Sequence, residues 1–255
     1  MTPVKAVLFD WGETLVRIPG MIHSPERHLG CLERLFEENA APGLRDLGVS
    51  WPTLRTAYHE ACRQHMAHSA TTRREHRFEE RFATTLSLLE IRQLPETTVL
   101  SRWVDRFGEL IAQEVEMVDG ADEVVEELAR HVRLAIVSNY PHAPVVHRTL
   151  ESLGLRAHFR AVVVSGELGW LKPHPELYRT ALARVGARAE EAAFVGDDLD
   201  NDVRAPKALG LRTAWFTTEP STQPPEADIT LSDLRQLTAW CNLPSGERGE
   251  SASRD

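Results

Sequence analysis

The sequence predicts an α/β protein: a parallel sheet covered by helices on both faces, interrupted after its first strand by a block of helices. Three observations carry this. Short, nearly continuous apolar runs recur at residues 4–9, 132–137, 161–164, 192–195 and 213–216, as in strands buried on both faces. From about residue 119 onward these runs alternate with helical patterns, which requires crossover connections and hence parallel strands. Between about residues 20 and 118 there is no convincing strand, only apolar stripes at helical spacing.

The first strand, Val4-Lys5-Ala6-Val7-Leu8-Phe9, ends at Asp10. In the helical block, Ser24-Pro25-Glu26 reads as a helix start, with a capping hydroxyl and a proline in the first turn. Leu29, Leu32, Leu35 and Phe36 follow on one face, and Ala41-Pro42-Gly43 breaks the chain. Leu54, Tyr58, Ala61 and Cys62 mark a second helix, Phe78, Phe82 and Leu86 a third, and Trp103, Phe107 and Leu110 a fourth. After Asp119-Gly120 a helix carries Val124, Val125 and Leu128, and the next strand ends at Ser138-Asn139. A helix near residues 145–153 precedes the strand at 161–164, and another carries Leu177, Tyr178 and Leu182. The strand at 192–195 runs into Gly196-Asp197-Asp198, a short helix leads to the strand at 213–216, and a last helix carries Leu234, Leu237 and Trp240. The polar tail is expected to be disordered.

Composition narrows the partners. The 255 residues carry a net charge of -9, which repels nucleic acid and anionic membranes over most of the surface. An anionic small molecule can still bind where a local site supplies cations. Cys31, Cys62 and Cys241 are odd in number and widely spaced, so neither a disulfide framework nor a zinc site is suggested. The opening residues lack a charged leader with a long apolar run, and no stretch nears 18 apolar residues; the cytoplasm is the expected location. The oligomeric state is left open.

Ligands of open parallel sheets bind beyond the carboxyl ends of the strands. Three of the strands above end in polar residues, at Asp10, at Ser138-Asn139 and at Asp197-Asp198, and Lys172 lies in the loop before Pro173. Singly, each reads as an ordinary turn or surface loop. Together they supply a carboxylate nucleophile, hydroxyl and amide donors, a cation and further carboxylates. Phosphoryl transfer needs this mixture: Asp10 and Asp197 can offer hard oxygens to Mg²⁺, while Lys172, Ser138 and Asn139 can meet the phosphoryl oxygens.

In this order the segments resemble the haloacid dehalogenase superfamily. Phe9-Asp10-Trp11-Gly12-Glu13-Thr14 is similar to its first motif, strand-Asp-x-Asp-x-Thr. Val137-Ser138-Asn139 is similar to the second, Lys172-Pro173-His174-Pro175 to the third, and Gly196-Asp197-Asp198 through Asp202-Val203 to the fourth. The resemblance covers about residues 4–18 and 119–216. It implies a Rossmann-like core over 1–18 and 119–243, a helical cap over 19–118 and a tail over 244–255. It further implies a Mg²⁺-dependent phosphatase acting on small phosphorylated metabolites through an aspartyl-phosphate on Asp10. The Gly12 carbonyl and Asp197 would complete the protein ligands of the metal. Asp202 would orient Lys172, or, like Asp198, stand behind the metal or serve as an alternative ligand to it. Trp11 and Glu13 would border the substrate pocket.

One position departs. The family's second aspartate, its general acid and base, is Gly12 here. Glycine keeps the main-chain carbonyl but removes a proton relay worth about 10²- to 10⁴-fold. Esters with acidic leaving groups are therefore expected to be favoured, unless Glu13 or a cap histidine substitutes. The same departure accompanies other chemistry. Dehalogenases need no metal, which Asp197, Asp198 and Asp202 argue against. Phosphonate hydrolases need a cap lysine, and the lysines here are Lys5, Lys172 and Lys207. A non-catalytic phospho-ligand or protein-binding module is the alternative from another class. Arginines and histidines crowd residues 17–77. They read as a solvated helical face from which one or two contact substrate.

Overall fold

A computed structural model of the chain describes residues 3–18, 28–38, 43–91, 96–217 and 226–241. The helix start at Ser24, the break at Ala41-Pro42, His23, Arg27 and the tail lie outside these residues.

In chain order the elements are β1 (Ala6–Phe9), β2 (Val16–Arg17), α1 (Leu29–Glu37), α2 (Trp51–Thr72), α3 (Phe78–Leu88), α4 (Thr97–Ala112), β3 (Glu116–Met117), α5 (Ala121–Ala129) and β4 (Arg133–Ser138). There follow α6 (Ala143–Ser152), β5 (Phe159–Val164), α7 (Ser165–Leu168), α8 (Pro175–Val185), β6 (Ala192–Gly196), α9 (Ala205–Ala208), β7 (Arg212–Phe216), β8 (Ile229–Leu231) and α10 (Gln236–Trp240). Six strands form one parallel sheet in the order β5-β4-β1-β6-β7-β8.

Alternate residues of each strand feed opposite faces. Ala6 and Leu8 pack with Ala135, Val137, Phe194 and the α8 residues Leu177 and Tyr178. Val7 and Phe9 pack with Ile136, Val162 and Val195 on the other face, in a core that continues into the helical block through Leu32, Phe82 and Phe107. The predicted helical stripes are the buried faces of α1 to α4. Ser50 caps α2 by accepting from the Thr53 N–H, with Pro52 in its first turn. The three cysteines are buried and unpaired. Among the described residues no helix is long and apolar enough to cross a membrane.

Two features depart from the sequence reading. A sixth strand, β8, extends the sheet, and β2 pairs antiparallel with β3 (Val16 with Met117, Arg17 with Glu116) where the chain leaves and re-enters the sheet. Elements of two or three residues are too short to show a period. β3 therefore corrects the expectation that residues 20–118 hold helices alone.

Candidate active site

The chain passes from β1 to β4 on one side and returns to β6 on the other. The strand order thus reverses at β1, where a parallel sheet opens a crevice beyond its carboxyl ends. Register fixes which residues share that crevice. Phe9 lies opposite Ile136 in β4 and Val195 in β6, so Asp10, Ser138 and Asp197 all emerge at the same end of the sheet. The Asp10 N–H is tied to the Val195 carbonyl at 2.9 Å. Every site residue named from the sequence borders a single cavity of about 260 Å³ at this point.

Lys172 lines it. It is buried, and its Nζ donates to Asp10 Oδ1 at 2.8 Å and to Asp202 Oδ1 at 2.8 Å. Burial opposes the ammonium charge, but Asp10 and Asp202 more than offset it and raise the Lys172 pKa. Asn139 holds the lysine's own backbone: its Oδ1 accepts the Lys172 N–H at 2.6 Å and its Nδ2 donates to the Lys172 carbonyl at 3.1 Å. The Asn139 carboxamide is thereby engaged with the loop, a contact across 33 residues that no local pattern signals. Ser138 is buried at the cavity wall.

The loop after β6 is built around Asp202, which is fully buried. Its Oδ2 accepts the Asp198 N–H at 3.1 Å. A Cβ on Gly196 would fall on the Asp202 carboxylate, so that carboxylate sits where only glycine leaves room. Asp198 turns its Oδ1 to the N–H groups of Asp200 and Asn201, at 2.9 and 2.8 Å, and so caps the turn at Leu199–Arg204.

Asp197 is steadied by two residues the sequence reading assigned no role. Trp215, at the end of β7, donates Nε1–H to the Asp197 carbonyl at 2.7 Å, and Thr14 donates to Asp197 Oδ1 at 3.4 Å. Trp215 could have been found as the polar-tipped residue at the end of one more strand. Burial, and then the neighbouring Asp10 charge, pushes the Asp197 carboxyl up to about 7, with Lys172 pulling the other way.

Trp11 borders the cavity and is also a core residue, 1% exposed and edge-on to Tyr140. Its buried Nε1 has no hydrogen-bond partner. Glu13 borders the cavity with a left-handed backbone, φ 58°. Gly12 has no such conformation, and a Cβ built on it meets nothing within 4 Å.

Carboxylate oxygens of Asp10, Asp197 and Asp202 lie within 4.8 Å of one another. Three hard oxygen donors so close, two of them with raised pKa values, fit a small divalent cation such as Mg²⁺. Since Asp202 is already committed to Lys172 and the Asp198 N–H, Asp10 and Asp197 are the better placed to hold one.

Fold and site together define a hydrolase-type α/β protein with an acidic, lysine-bearing centre at its strand ends. The model of the haloacid dehalogenase-like hydrolase family matches residues 4–210, and the chain belongs to that family. A phosphoserine phosphatase from Thermus thermophilus is 33% identical over 172 residues, covering 56% of this chain and 68% of the relative. A ribulose-1,5-bisphosphate 5-phosphatase from Halopiger xanaduensis is 36% identical over 135 residues, 52% of this chain and 54% of the relative. Among solved structures, the HAD-hydrolase YfnB of Bacillus subtilis, bound to magnesium, superposes with a TM-score of 0.62 over 95% of this chain and all of its own, at 21% identity. A 2-haloacid dehalogenase from Pseudomonas syringae reaches 0.67 over 92% of this chain and 97% of its own, at 20% identity. At such identities both report the shared fold alone. This chain is a haloacid dehalogenase-like hydrolase with phosphatases among its relatives.

Proposed function

We propose that this protein is a Mg²⁺-dependent phosphatase that hydrolyses small phosphate monoesters through an aspartyl-phosphate on Asp10. The observation that carries it is the position of Asp10: a strand-end carboxylate 2.8 Å from the buried Lys172 ammonium, with the Asp197 carboxylate beside it. Its named phosphatase relatives support a small phosphorylated substrate.

Asp10 attacks phosphorus, forming a carboxylate O–P bond as the ester O–P bond breaks; the leaving oxygen departs with the bonding pair and takes its proton from water. Water then cleaves the acyl phosphate, releasing phosphate and restoring the carboxylate. Lys172 offsets charge on the phosphoryl oxygens and on Asp10. Ser138 and main-chain N–H groups after β4 donate to those oxygens, while the Asn139 side chain keeps the Lys172 loop in place. Asp10, Asp197 and the Gly12 carbonyl would hold Mg²⁺, which would lessen repulsion between nucleophile and phosphate. Asp202 aligns Lys172, and Asp198 caps the metal-side turn. Trp11 and Glu13 border the pocket. On this reading the core comprises residues 1–18 and 119–243 and the inserted helices, 19–118, form the cap.

The test is a broad phosphate-ester screen with Mg²⁺, followed by Asp10→Asn. Turnover that vanishes in Asp10→Asn and with chelator is expected. An unchanged rate in Asp10→Asn would refute the mechanism. Binding of vanadate or beryllofluoride with no ester turned over would instead favour a phospho-ligand-binding module.

A further inference from the structure

The connection between α2 and α3 reaches from the inserted helices to both halves of the strand-end site. Its residues 73–75 pair antiparallel with the chain just ahead of Lys172, Arg74 opposite Trp170. The Leu171 N–H donates to the Arg73 carbonyl at 2.9 Å and the Glu75 N–H to the Gly169 carbonyl at 3.2 Å. The same connection turns a buried side chain, Glu75, 4% exposed, toward the loop after β4. We propose that Glu75 is a positioning residue: through Ser165 it fixes the backbone that presents Ser138 and Asn139 to the phosphoryl group. The proposal rests on the phosphatase reading and deepens it, by naming a residue of the inserted helices that sets the phosphoryl-binding loop through another side chain.

Glu75 Oε2 accepts the Ser165 hydroxyl at 2.6 Å, the short length of a charge-assisted bond. Ser165 Oγ in turn accepts the Tyr140 N–H at 2.8 Å. A serine hydroxyl has one proton and two lone pairs. With the proton on Glu75, a lone pair is left to face Tyr140. The competing acceptor is the Tyr140 carbonyl, 3.2 Å from the same Oγ. Without the carboxylate the proton turns there, and the Tyr140 N–H loses its aligned acceptor. The loop has little slack to absorb this. The Gly166 N–H donates to the Tyr140 carbonyl at 3.0 Å, and a Cβ on Gly166 would fall on the Pro141 carbonyl. Tyr140 directly follows Asn139, whose carboxamide grips the Lys172 backbone, and Ser138 and Asn139 both line the strand-end cavity. A shift at Tyr140 therefore reaches the hydroxyl and the lysine loop together.

Charge balance alone does not account for Glu75. Arg81 lies 3.8 Å from Oε1, near enough to neutralise the buried carboxylate but beyond hydrogen-bond length. Oε1 instead accepts the His76 N–H at 2.8 Å, which fixes the carboxylate on its own connection. Burial raises the Glu75 pKa, while Arg81, the Ser165 hydroxyl and the His76 N–H each oppose the rise by favouring the anion. The oxygen left over points across the junction to Ser165, 90 residues further along the chain. Ser165 has no exposed surface, so bulk water does not replace the carboxylate as its acceptor.

The test measures binding of orthovanadate and inorganic phosphate to the full chain by calorimetry in the presence of Mg²⁺. Vanadate takes the five-coordinate geometry of phosphoryl transfer, so it reads the placement of the donors most sharply. Ser165→Ala and Glu75→Gln should each weaken vanadate about tenfold, and phosphate less, a part of the roughly hundredfold loss that a 1 Å misplacement brings. The double variant should lose no more than the weaker-binding single, because both cut one chain of hydrogen bonds. Arg74→Ala is the structural control. Its guanidinium lies over the Trp170 ring at 4.1 Å, in the same junction but outside that chain, and its loss keeps the backbone pairing. It should leave vanadate affinity at the wild-type level. Where an ester is turned over, kcat should fall with vanadate affinity while KM holds. Unchanged vanadate affinity in Ser165→Ala, additive losses in the double variant, or an equal loss in Arg74→Ala overturns the proposal. Circular dichroism checks folding; if Glu75→Gln does not fold, Ser165→Ala against Arg74→Ala carries the test, since both leave Glu75 beside Arg81. Linked losses of anion binding without wild-type turnover of any ester would sink the phosphatase and keep the positioning role. Turnover with vanadate affinity unaltered in the variants would sink the role alone, and a wild type that binds neither anion would sink both.

Discussion

Lys172 holds Asp10 and Asp202 together, its Nζ 2.8 Å from an oxygen of each. Replacing it with methionine keeps its length and removes the charge. The buried Asp202 would then lose its counter-ion, and breaking such a pair typically costs about 3–5 kcal/mol. Lys172→Met should therefore lower the denaturant midpoint of the metal-free protein, and lower kcat by about 10²- to 10³-fold as one charge stabiliser of the transition state is lost. Unaltered stability would show that the lysine is not the partner of the buried acid.

Gly196 and Asp202 set a second expectation. Because a Cβ at position 196 would meet the Asp202 carboxylate, Gly196→Ala should cost about 1–3 kcal/mol through overpacking and displace the acid that aligns Lys172. Gly12→Ala is the control, since a Cβ there meets nothing within 4 Å. Urea titrations of both variants decide it: a midpoint that falls in Gly12→Ala and holds in Gly196→Ala would contradict the packing.

The histidines of α2 and its neighbourhood predict a pH dependence of stability. Burial first, then the charge of His76, lowers the His65 pKa to about 4. The unfolded chain, with an ordinary value near 6.5, therefore binds a proton that the folded chain refuses between these limits. Stability is full above about pH 6.5, falls as pH drops towards 4, and loses nothing further from this group below that. His65→Gln should flatten that slope, as read from thermal midpoints at half-unit pH intervals. An identical slope in the variant would place the titration elsewhere.

The sequence was informative where chemistry and periodicity coincide. β1, β4 and β6 announce themselves by buried apolar runs that end in polar residues, and those endings line the strand-end cavity. Legibility fails where a residue's role depends on a contact across the fold. Arg81 lies on a helix whose basic neighbours read as a solvated face; α2 packing against α3 encloses it beside Cys62 and Glu75. Asn139 looks like a phosphate donor by its place after β4, yet its carboxamide spans 33 residues to grip the Lys172 backbone. β8 and the β2–β3 pair were invisible because two or three residues have no pattern to read.

Gly12 stands two residues beyond Asp10, where the family's acid–base aspartate belongs. Space is not the reason for its absence, because a Cβ built on Gly12 meets nothing within 4 Å and its backbone is outside the left-handed region. The first side-chain atom of an aspartate can therefore enter without a clash. In the wild type the departing oxygen must carry more negative charge in the transition state, so aryl, acyl and anomeric phosphates should turn over faster than alkyl phosphates. Gly12→Asp would supply a proton to the leaving oxygen and a base for the attacking water. The expected result is a rise of about 10²-fold in kcat for alkyl phosphates, little change for aryl phosphates, and a shallower dependence of the chemical step on leaving-group pKa. Single-turnover rates across a leaving-group series measure that slope. A wild-type slope already near zero would mean that another acid performs the task, and Glu13, which borders the same cavity, would be the first residue to replace.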